Sequence, residues 1–226
     1  MQTVQLRPGA VADAQEQVYI APKPKPVYDA CKRVLDILLA TLALILLSPL
    51  LLIVALAIRI SDGGPAFFVQ ERMTKNARVF KMYKFRSMCQ DAEAKLPELM
   101  DKNEMTGPAF KLKDDPRVTK IGKFLRKTSI DELPQLLNII KGDMSIIGPR
   151  PPLPREVVQY NDYQMHRLDV KTGLSCYHAC RGRSNSTDFD QWIESDLEYI
   201  RDRSLLTDLK IIFWTFKIVL TGKGAV

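Results

Sequence analysis

The longest apolar stretch of the chain runs from Ile37 to Ile58, with Thr41 and Ser48 as its polar interruptions. A straight helix of this length could cross a bilayer, because each residue adds about 1.5 Å and the hydrocarbon core is roughly 30 Å thick. Pro49 lies in the middle, removes a backbone donor and crowds the carbonyl four positions earlier, which the Ser48 hydroxyl can satisfy. Lysine and arginine flank both ends, and such flanks favour the cytosolic side of a membrane.

Two structures fit this segment. One is a spanning helix with a proline kink. The other is a pair of arms of about 10–12 residues, each reaching halfway into the bilayer, which turn at Ser48-Pro49 and leave on the same face. The pattern of apolar residues leaves both open.

Alternating apolar and polar residues predict a β-hairpin, with strands at 66–72 and 78–85 and a turn at 74–76. In the C-terminal third, residues 188–201 predict an acidic amphipathic helix. Residues 208–220 predict an apolar, aromatic-rich helix that either lies in a membrane interface or packs as a core helix. Together these elements predict an α/β-mixed, mostly helical fold with a small hairpin or sheet.

Two adjacent carboxylates, Asp131 and Glu132, lie where a further helix is expected to begin. Ser129 stands three residues before Glu132 and ahead of an apolar run, which is a capping-box pattern, and Gly142 is the expected C-terminal stop. Free N–H groups and the positive end of the helix dipole favour anions in a first turn, both carboxylates and phosphates. Taken alone, the pair is explained by helix capping as well as by chemistry.

Four basic residues are candidates for binding phosphate. Lys84 and Arg86 share one face of the second strand by its period of two, and either grip a phosphate or form a solvated strand edge. Arg150 lies in the run G-P-R-P-P, whose prolines fix the backbone, so this loop either presents Arg150 to a nucleotide or pyrophosphate or is a stiff linker. Arg126 lies just upstream of Asp131.

Composition narrows the class of protein without naming a partner. The 226 residues are 46% hydrophobic and carry a formal charge of +7, which allows one globular domain plus membrane elements. The positive charge suits phosphates, acidic lipid or nucleic acid and does not choose among them. The four cysteines form no disulfide framework, which favours a reducing compartment. Cys176, His178 and Cys180 alternate, but they match no standard zinc spacing.

Three motifs carry a family resemblance: D-P-R-V-T-K-I-G at 115–122, T-S-I-D-E-L-P-Q-L-L-N at 128–138 and K-G-D-M-S-I-I-G-P-R-P at 141–151. From about Tyr28 to its C-terminus, the chain resembles the bacterial sugar transferase family, the monotopic polyprenyl-phosphate sugar-1-phosphate transferases. The resemblance implies an enzyme that transfers a hexose-1-phosphate from a UDP-sugar to undecaprenyl (polyprenyl) phosphate and releases UMP. It also implies a place at the first membrane step of exopolysaccharide, capsule or glycoconjugate synthesis.

The resemblance further implies roles for individual residues. Asp131 is the expected nucleophile, which forms a covalent aspartyl phosphosugar, and Glu132 with Asp131 is expected to hold Mg²⁺. The re-entrant geometry follows as well, with Ser48-Pro49 at the membrane bend. The expected phosphate and nucleotide contacts are Lys84, Arg86, Arg126, Arg150 and Pro151.

These implications place the protein in a bacterial inner (cytoplasmic) membrane, with its catalytic domain on the cytosolic face. The expected partners are the UDP-hexose donor, the polyprenyl phosphate acceptor and the lipid bilayer, without nucleic acid, and the sequence leaves open whether two copies pair as a homodimer. The expected parts of the chain are a flexible tail (1–26), a re-entrant membrane helix (27–60), a catalytic domain (61–204) and an amphipathic interfacial helix with the C-terminus (205–226).

Two rival hypotheses accompany this interpretation. The first is a non-enzymatic membrane scaffold for polysaccharide assembly, against which the intact dyad and phosphate loop argue. The second is direct transfer with Asp131 as a base, which is weak because a phosphate acceptor is already ionised.

The chain departs from the family pattern in its C-terminal third. Lys171 stands where the family commonly has proline, and His178-Ala179 stands where it has Trp-Gln, whereas Gly182 and Arg183 are kept. These departures bear on acceptor or sugar choice and leave the Asp-Glu dyad untouched.

Overall fold

A computed structural model describes Tyr19, residues 23–180 and residues 187–221. Over these residues the chain is mostly helical and contains two small two-stranded sheets, which confirms the predicted class. Most of the tail expected at 1–26 lies outside the described residues.

The helices and strands are named here in chain order. They are α1 (Pro26–Asp62), β1 (Phe67–Thr74), β2 (Arg78–Phe85), α2 (Lys120–Lys127), α3 (Leu136–Lys141), β3 (Ser145–Ile147), α4 (Pro154–Val157), α5 (Asp162–Met165), β4 (Gly173–Ser175), α6 (Tyr177–Cys180), α7 (Phe189–Asp202) and α8 (Leu205–Thr221). Short 3₁₀ helices lie between them at Lys75–Ala77, Pro97–Lys102, Ile130–Gln135 and His166–Leu168.

Helix α1 is long and apolar enough to cross a membrane, with a mean hydropathy of 2.9 in its most apolar window and 11% of that window buried. It is a single helical element that continues through Ser48 and Pro49. The Ser48 hydroxyl donates to the carbonyl of Ile45 at 2.8 Å, which is the carbonyl that Pro49 leaves without its helical donor. Two separate helices were expected around this point. The structure has one, and a bend within a membrane stays a prediction.

Both ends of α1 are fastened to the same globular body. Near its start, Arg33 donates to two carbonyls at the end of α3 at 2.6 and 2.8 Å, and Asp36 accepts from a backbone N–H of β3 at 3.0 Å. Near its end, Ile58 is buried and Asp62 binds Arg86. The apolar stretch is therefore anchored on both flanks.

Strands β1 and β2 pair antiparallel, from Phe67 opposite Phe85 to Thr74 opposite Arg78, which confirms the predicted hairpin. The turn between them is a 3₁₀ helix whose Asn76 and Ala77 adopt positive φ angles of 58° and 54°. On β2, three buried side chains face the rest of the protein: Phe80, Met82 and Phe85.

A helix begins near Ile130 as predicted, but its first turns are 3₁₀ and not α-helical, and the predicted capping box is wrong. Residues Ile130–Gln135 form a 3₁₀ helix, and Ser129 before it has a φ of 55° and makes no side-chain cap. The physical reason is Pro134, which lacks an N–H and disfavours the helical conformation of the residue before it. The α-helix starts after this proline and ends at Gly142, whose φ of 91° confirms the predicted stop.

Strands β3 and β4 pair in parallel and bring two distant segments together. Gly148 and Gly173 meet where the segments approach, and a Cβ on Gly173 would lie 2.1 Å from the backbone nitrogen of Gly148. A side chain at this crossing would force the two segments apart, so glycine is required there.

Helix α7 confirms the predicted acidic helix. Asp188 caps its start, because its carboxylate accepts from two backbone N–H groups of the first turn. Helix α8 confirms the predicted amphipathic helix. It buries Asp208 and Ile211, whereas Leu206, Leu209, Phe213 and Phe216 are each more than 60% exposed. The exposed face excludes a purely core helix, and its place in a membrane interface stays a prediction.

Asp208 ties this last helix to the first one. Its carboxylate accepts from the Tyr28 hydroxyl at 2.9 Å, the Lys32 ammonium at 2.7 Å and the Tyr199 hydroxyl at 2.8 Å. The apolar surfaces of α1 and α8 therefore belong to one packed body.

Candidate active site

Asp131 and Glu132 lie at the start of the 3₁₀ helix, against the end of strand β2. Asp131 is buried, with 7% of its surface exposed, and Glu132 is partly exposed. The Lys84 ammonium donates to Glu132 Oε1 at 2.9 Å. The predicted phosphate-binding lysine therefore reaches the dyad directly.

Buried Asn138 holds this strand against the dyad segment. Its side-chain oxygen accepts from the Tyr83 N–H at 3.0 Å, and its amide nitrogen donates to the Lys81 carbonyl at 2.7 Å. Because Asn138 is fully buried, these bonds fix the position of β2 and with it the base of Lys84.

The surroundings push the two carboxylates in opposite directions. Burial raises the pKa of Asp131, and Lys84 and Arg126 partly counteract that rise. Burial also raises the pKa of Glu132, but Lys84 and Arg150 outweigh it and hold that pKa below its ordinary value. Neighbouring carboxylates with diverging pKa values are typical of functional sites.

Arg126 supplies a second cation beside Asp131. Its Nε donates to the Ser87 hydroxyl at 3.0 Å. Burial lowers the pKa of Arg126, while Asp131 and Asp115 favour its charged form. Asp115 is itself held by a buried ion pair with Arg117 at 2.6 Å, so the D-P-R motif fixes a negative charge near this cation.

Arg150 is exposed on the proline loop, and its guanidinium lies 5.4 Å from the centre of the Trp192 ring. The Pro151 carbonyl accepts from Arg72 at 2.9 Å, and the Pro152 carbonyl accepts from the Met73 N–H at 2.9 Å. The loop is therefore attached to β1, and Arg150 acts electrostatically on Glu132. The contact of Arg150 and Pro151 with a nucleotide stays a prediction.

Arg72 is a residue of this site that the sequence did not indicate as one. It is 7% exposed, and burial lowers its pKa to about 10, while Glu132 favours its charged form. The alternation along β1 hid it, because the strand exposes the apolar residues Phe67 and Val69 and buries Arg72. In a strand with one face in the core, the polar residues usually point to solvent, so the alternation gave no sign that Arg72 is buried.

Arg86 and Lys84 contact different parts of the protein. Its guanidinium binds Asp62 and donates from Nε to the Pro65 carbonyl at 2.7 Å, at the end of α1. In the structure this buried arginine fastens the end of α1 to the hairpin. Its direct contact with phosphate stays a prediction.

The dyad supplies two carboxylates, and across residues 23–180 and 187–221 no third histidine, cysteine or acid joins them as a metal-binding group. Mg²⁺ is usually held by one or two carboxylates, with water and substrate phosphates completing its shell. The donor set therefore fits an ion shared with a diphosphate substrate.

The departures from the family pattern lie in two different surroundings, and His178 shares the Trp192 ring with Arg150. His178 is buried in α6 with its ring stacked 5.7 Å from that of Trp192, and Lys171 is half-buried before β4. Gly182 and Arg183 lie outside the described residues.

Comparison with known proteins gives a consistent result. The sequence model of one protein family, described as Bacterial sugar transferase, matches residues 27–222. The galactosyl transferase CpsE of Streptococcus agalactiae serotype III is 50% identical over 194 residues, which cover 86% of this chain and 43% of that protein.

Two further relatives differ in how much of them is matched. The exopolysaccharide production protein ExoY of Sinorhizobium fredii is 41% identical over 205 residues, covering 89% of this chain and 90% of that protein. The UDP-glucose:undecaprenyl-phosphate glucose-1-phosphate transferase of Escherichia coli K12 is 40% identical over 215 residues, covering 88% and 44%. The chain thus spans less than half the length of the streptococcal and Escherichia proteins.

Proposed function

Because this chain belongs to the bacterial sugar transferase family, we propose that it transfers a hexose-1-phosphate from a UDP-sugar to a polyprenyl phosphate such as undecaprenyl phosphate, with release of UMP. The relatives named for exopolysaccharide production and for undecaprenyl-phosphate sugar transfer support the same reaction class. The product would be the lipid-linked first sugar of an extracellular polysaccharide.

One observation carries the proposal. The buried Asp131 and its neighbour Glu132 are surrounded by more positive charges than the two carboxylates can balance. Asp131 has Lys84 and Arg126 as its nearby cations, and Arg150 and Arg72 act on the adjacent Glu132. Such a group of cations suits the several negative charges of a sugar nucleotide and a lipid phosphate.

In the first step, a carboxylate oxygen of Asp131 attacks the sugar-bearing phosphorus of the donor. The new O–P bond forms as the bond to the UMP oxygen breaks, and UMP leaves with that electron pair. Lys84 and Arg126 stabilise the phosphoryl oxygens during the exchange. Asp131 must be ionised for this step and needs no base.

In the second step, an oxygen of the polyprenyl phosphate attacks the same phosphorus and the bond to Asp131 breaks. The carboxylate is restored, and the lipid holds a diphosphate-linked sugar. Arg150, held by the loop that Arg72 anchors, binds the donor's diphosphate or nucleotide. Glu132 and Asp131 would hold Mg²⁺, which would supply positive charge to offset the negative charge that develops on the departing UMP.

The re-entrant arrangement of α1 is part of the same proposal. Arg33 and Asp36 at one end, and Ile58 and Asp62 at the other, contact one body. An apolar segment with both flanks on one domain enters and leaves the same face of the bilayer, with Ser48-Pro49 between its arms. The excess of lysine and arginine near both ends favours the cytosolic face of the inner membrane.

The test is release of UMP when the purified protein is mixed with polyprenyl phosphate and each of a panel of UDP-sugars. We expect one donor to be strongly preferred and Asp131→Asn to be inactive. Without the acceptor, a burst of at most one UMP per protein and transfer of the sugar phosphate to Asp131 are expected. Turnover without that burst would favour direct transfer, and the absence of UMP with every donor would favour the scaffold hypothesis.

A further inference from the structure

A second cationic region lies at the opposite end of the hairpin from the dyad. A cavity of about 190 Å³ separates the first turns of α1 from the hairpin turn and the segment before β4. Its charged lining consists of Lys32, Arg33, Lys75, Lys171 and Arg203 with Asp29, Asp36 and Asp169.

Most of its acidic groups are already engaged. Asp36 accepts from a backbone N–H of β3, and Asp169 accepts from the Tyr19 hydroxyl at 3.0 Å. By contrast, the side-chain ammonium groups of Lys75 and Lys171 have no hydrogen bond or ion pair to any other described residue. The cavity therefore contains two ammonium groups that no described side chain binds directly, with Asp36 as a nearby negative charge for Lys171.

These positive charges are crowded together. The Arg33 guanidinium and the Lys171 ammonium lie 3.3 and 3.8 Å from the point that a Cβ on Gly142 would occupy. The two cations are therefore close to each other beside Gly142. Burial lowers the pKa of Lys171 and the nearby Arg33 lowers it further; Asp36 partly counteracts this, and Arg78 and Lys75 add to the lowering. A group of like charges held this way is relieved by a bound anion.

The cavity also lies beside the start of the apolar stretch of α1. Arg33 is one helical turn before Ile37, where the apolar stretch of α1 begins. Strand β2 separates this region from the dyad, because Arg78 and Lys84 lie on the order of 20 Å apart at about 3.3 Å per residue. A ligand here would therefore not compete with one at Asp131.

We propose that this cavity binds the phosphate of an anionic phospholipid from the surrounding membrane leaflet, with Lys75, Lys171 and Arg33 as its cations. Basic pockets beside membrane helices on the cytosolic side are suited to such headgroups. Lys171 stands where the family pattern has proline, so its ammonium is a feature of this chain. The bound lipid would hold the first arm of α1 at the membrane, and the inference does not depend on the transfer reaction.

The test compares the melting temperature of the full-length protein in neutral detergent with added phosphatidylglycerol, phosphatidylcholine or inorganic phosphate. A ligand that binds only the folded state raises the melting temperature. We expect phosphatidylglycerol to raise it by several degrees more than phosphatidylcholine, and Lys75→Gln/Lys171→Gln to lose at least half of that difference. Native mass spectrometry should show phosphatidylglycerol retained by the parent protein and depleted from the double variant.

The matched control is Lys102→Gln/Lys113→Gln, which removes the same charge from two other exposed lysines. It should keep the full response to phosphatidylglycerol. An equal loss in this control would mean that overall charge, not the cavity, attracts the lipid. An unchanged response in Lys75→Gln/Lys171→Gln would overturn the site, and an equal response to inorganic phosphate would overturn its assignment to a lipid. Because Lys75 is exposed, the single variant Lys75→Gln serves as the folded reference.

Discussion

The Lys84 ammonium lies 2.9 Å from Glu132 Oε1, so one strand residue reaches the carboxylate beside the buried Asp131. The pair is partly open to solvent, with 20% and 38% of the two side chains exposed. Such a pair stabilises a fold by only about 0.2–1 kcal/mol. Because the pair lies beside a carboxylate with a raised pKa, we expect Lys84 to contribute more to substrate binding than to the stability of the fold.

Replacing Lys84 should therefore affect turnover more than stability. We expect Lys84→Gln to lower kcat/KM at least roughly tenfold, because a charge-assisted contact to phosphate contributes about 1.5–3 kcal/mol. The melting temperature should change by no more than a few degrees. Lys81→Gln, on the same strand with an exposed side chain, should behave like the parent. Equal effects of the two substitutions on turnover would remove Lys84 from the site.

The pH dependence of the reaction should report the ionisation of Asp131. Its pKa is raised above the ordinary 3.8, so kcat/KM should fall on the acid side with a midpoint above that value. Lys84 lowers this pKa, so Lys84→Gln should move the acid limb to higher pH. A pH series of initial UMP release measures both. An acid limb that stays in place would contradict the assigned neighbourhood of Asp131.

The two carboxylates should also contribute to stability with opposite signs. The folded state raises the pKa of Asp131, so its stabilising contribution is present at low pH and is lost as the pH rises through that pKa. The folded state lowers the pKa of Glu132, so its contribution is present above the ordinary value and lost as the pH falls. At pH 7, Asp131→Asn should melt at or above the parent temperature and Glu132→Gln at or below it.

Activity should separate these variants from a simple stability effect. Asp131→Asn should lose turnover by at least about a thousandfold although it is as stable as the parent. Thermal melts and UMP release on the same preparations measure both quantities. Near-parent turnover by Asp131→Asn would exclude the covalent scheme.

Arg72 and Arg150 should act as one unit in donor binding. Arg150→Ala should raise KM for the UDP-sugar roughly tenfold, and Arg72→Lys should do so less strongly, because lysine cannot bind both Gln70 and Pro151. The increase in KM of the double variant should be smaller than the product of the two single increases, because both residues act on the same loop. Arg155→Ala, an exposed neighbour, is the control. Fully multiplicative effects would mean that Arg72 does not position Arg150.

Pro49 should control the topology of α1. Ser48→Ala/Pro49→Ala removes the hydroxyl that binds the Ile45 carbonyl and restores a backbone donor, so a straight spanning helix should compete with the re-entrant one. The reporter is a single cysteine, Gln5→Cys, in a chain without other cysteines. With Ser48 and Pro49 unchanged, this cysteine should be shielded from impermeant thiol reagents in intact cells. The double variant should become labelled in part of the population. Labelling of the parent from outside would show that α1 is a true span.

Local patterns predicted the elements that depend on nearby residues. The hairpin, helix α7 behind Asp188 and the stop at Gly142 follow from alternation, capping and glycine chemistry. The pattern at Ser129 misled because Pro134 prevents an α-helical turn and leaves a 3₁₀ helix.

The missing part of the site depends on contacts between distant segments. Arg72 reaches the Pro151 carbonyl, 79 positions away. Arg86 turns to Asp62 although it shares a strand face with Lys84, because the end of α1 packs there. No local period contains these partners, so they become visible only when the segments are packed together.

A step of two positions along the chain, from Lys84 to Arg86, sets a length. Arg86 holds the end of α1 through Asp62, Lys84 holds Glu132, and the two residues lie about 7 Å apart along the backbone. In the proposed re-entrant arrangement, this length would keep the dyad at a fixed height above the acyl chains, at the level of a lipid phosphate. In the proposed reaction, the acceptor needs no extraction from the membrane, and the length of its hydrocarbon tail should have little influence on the chemical step.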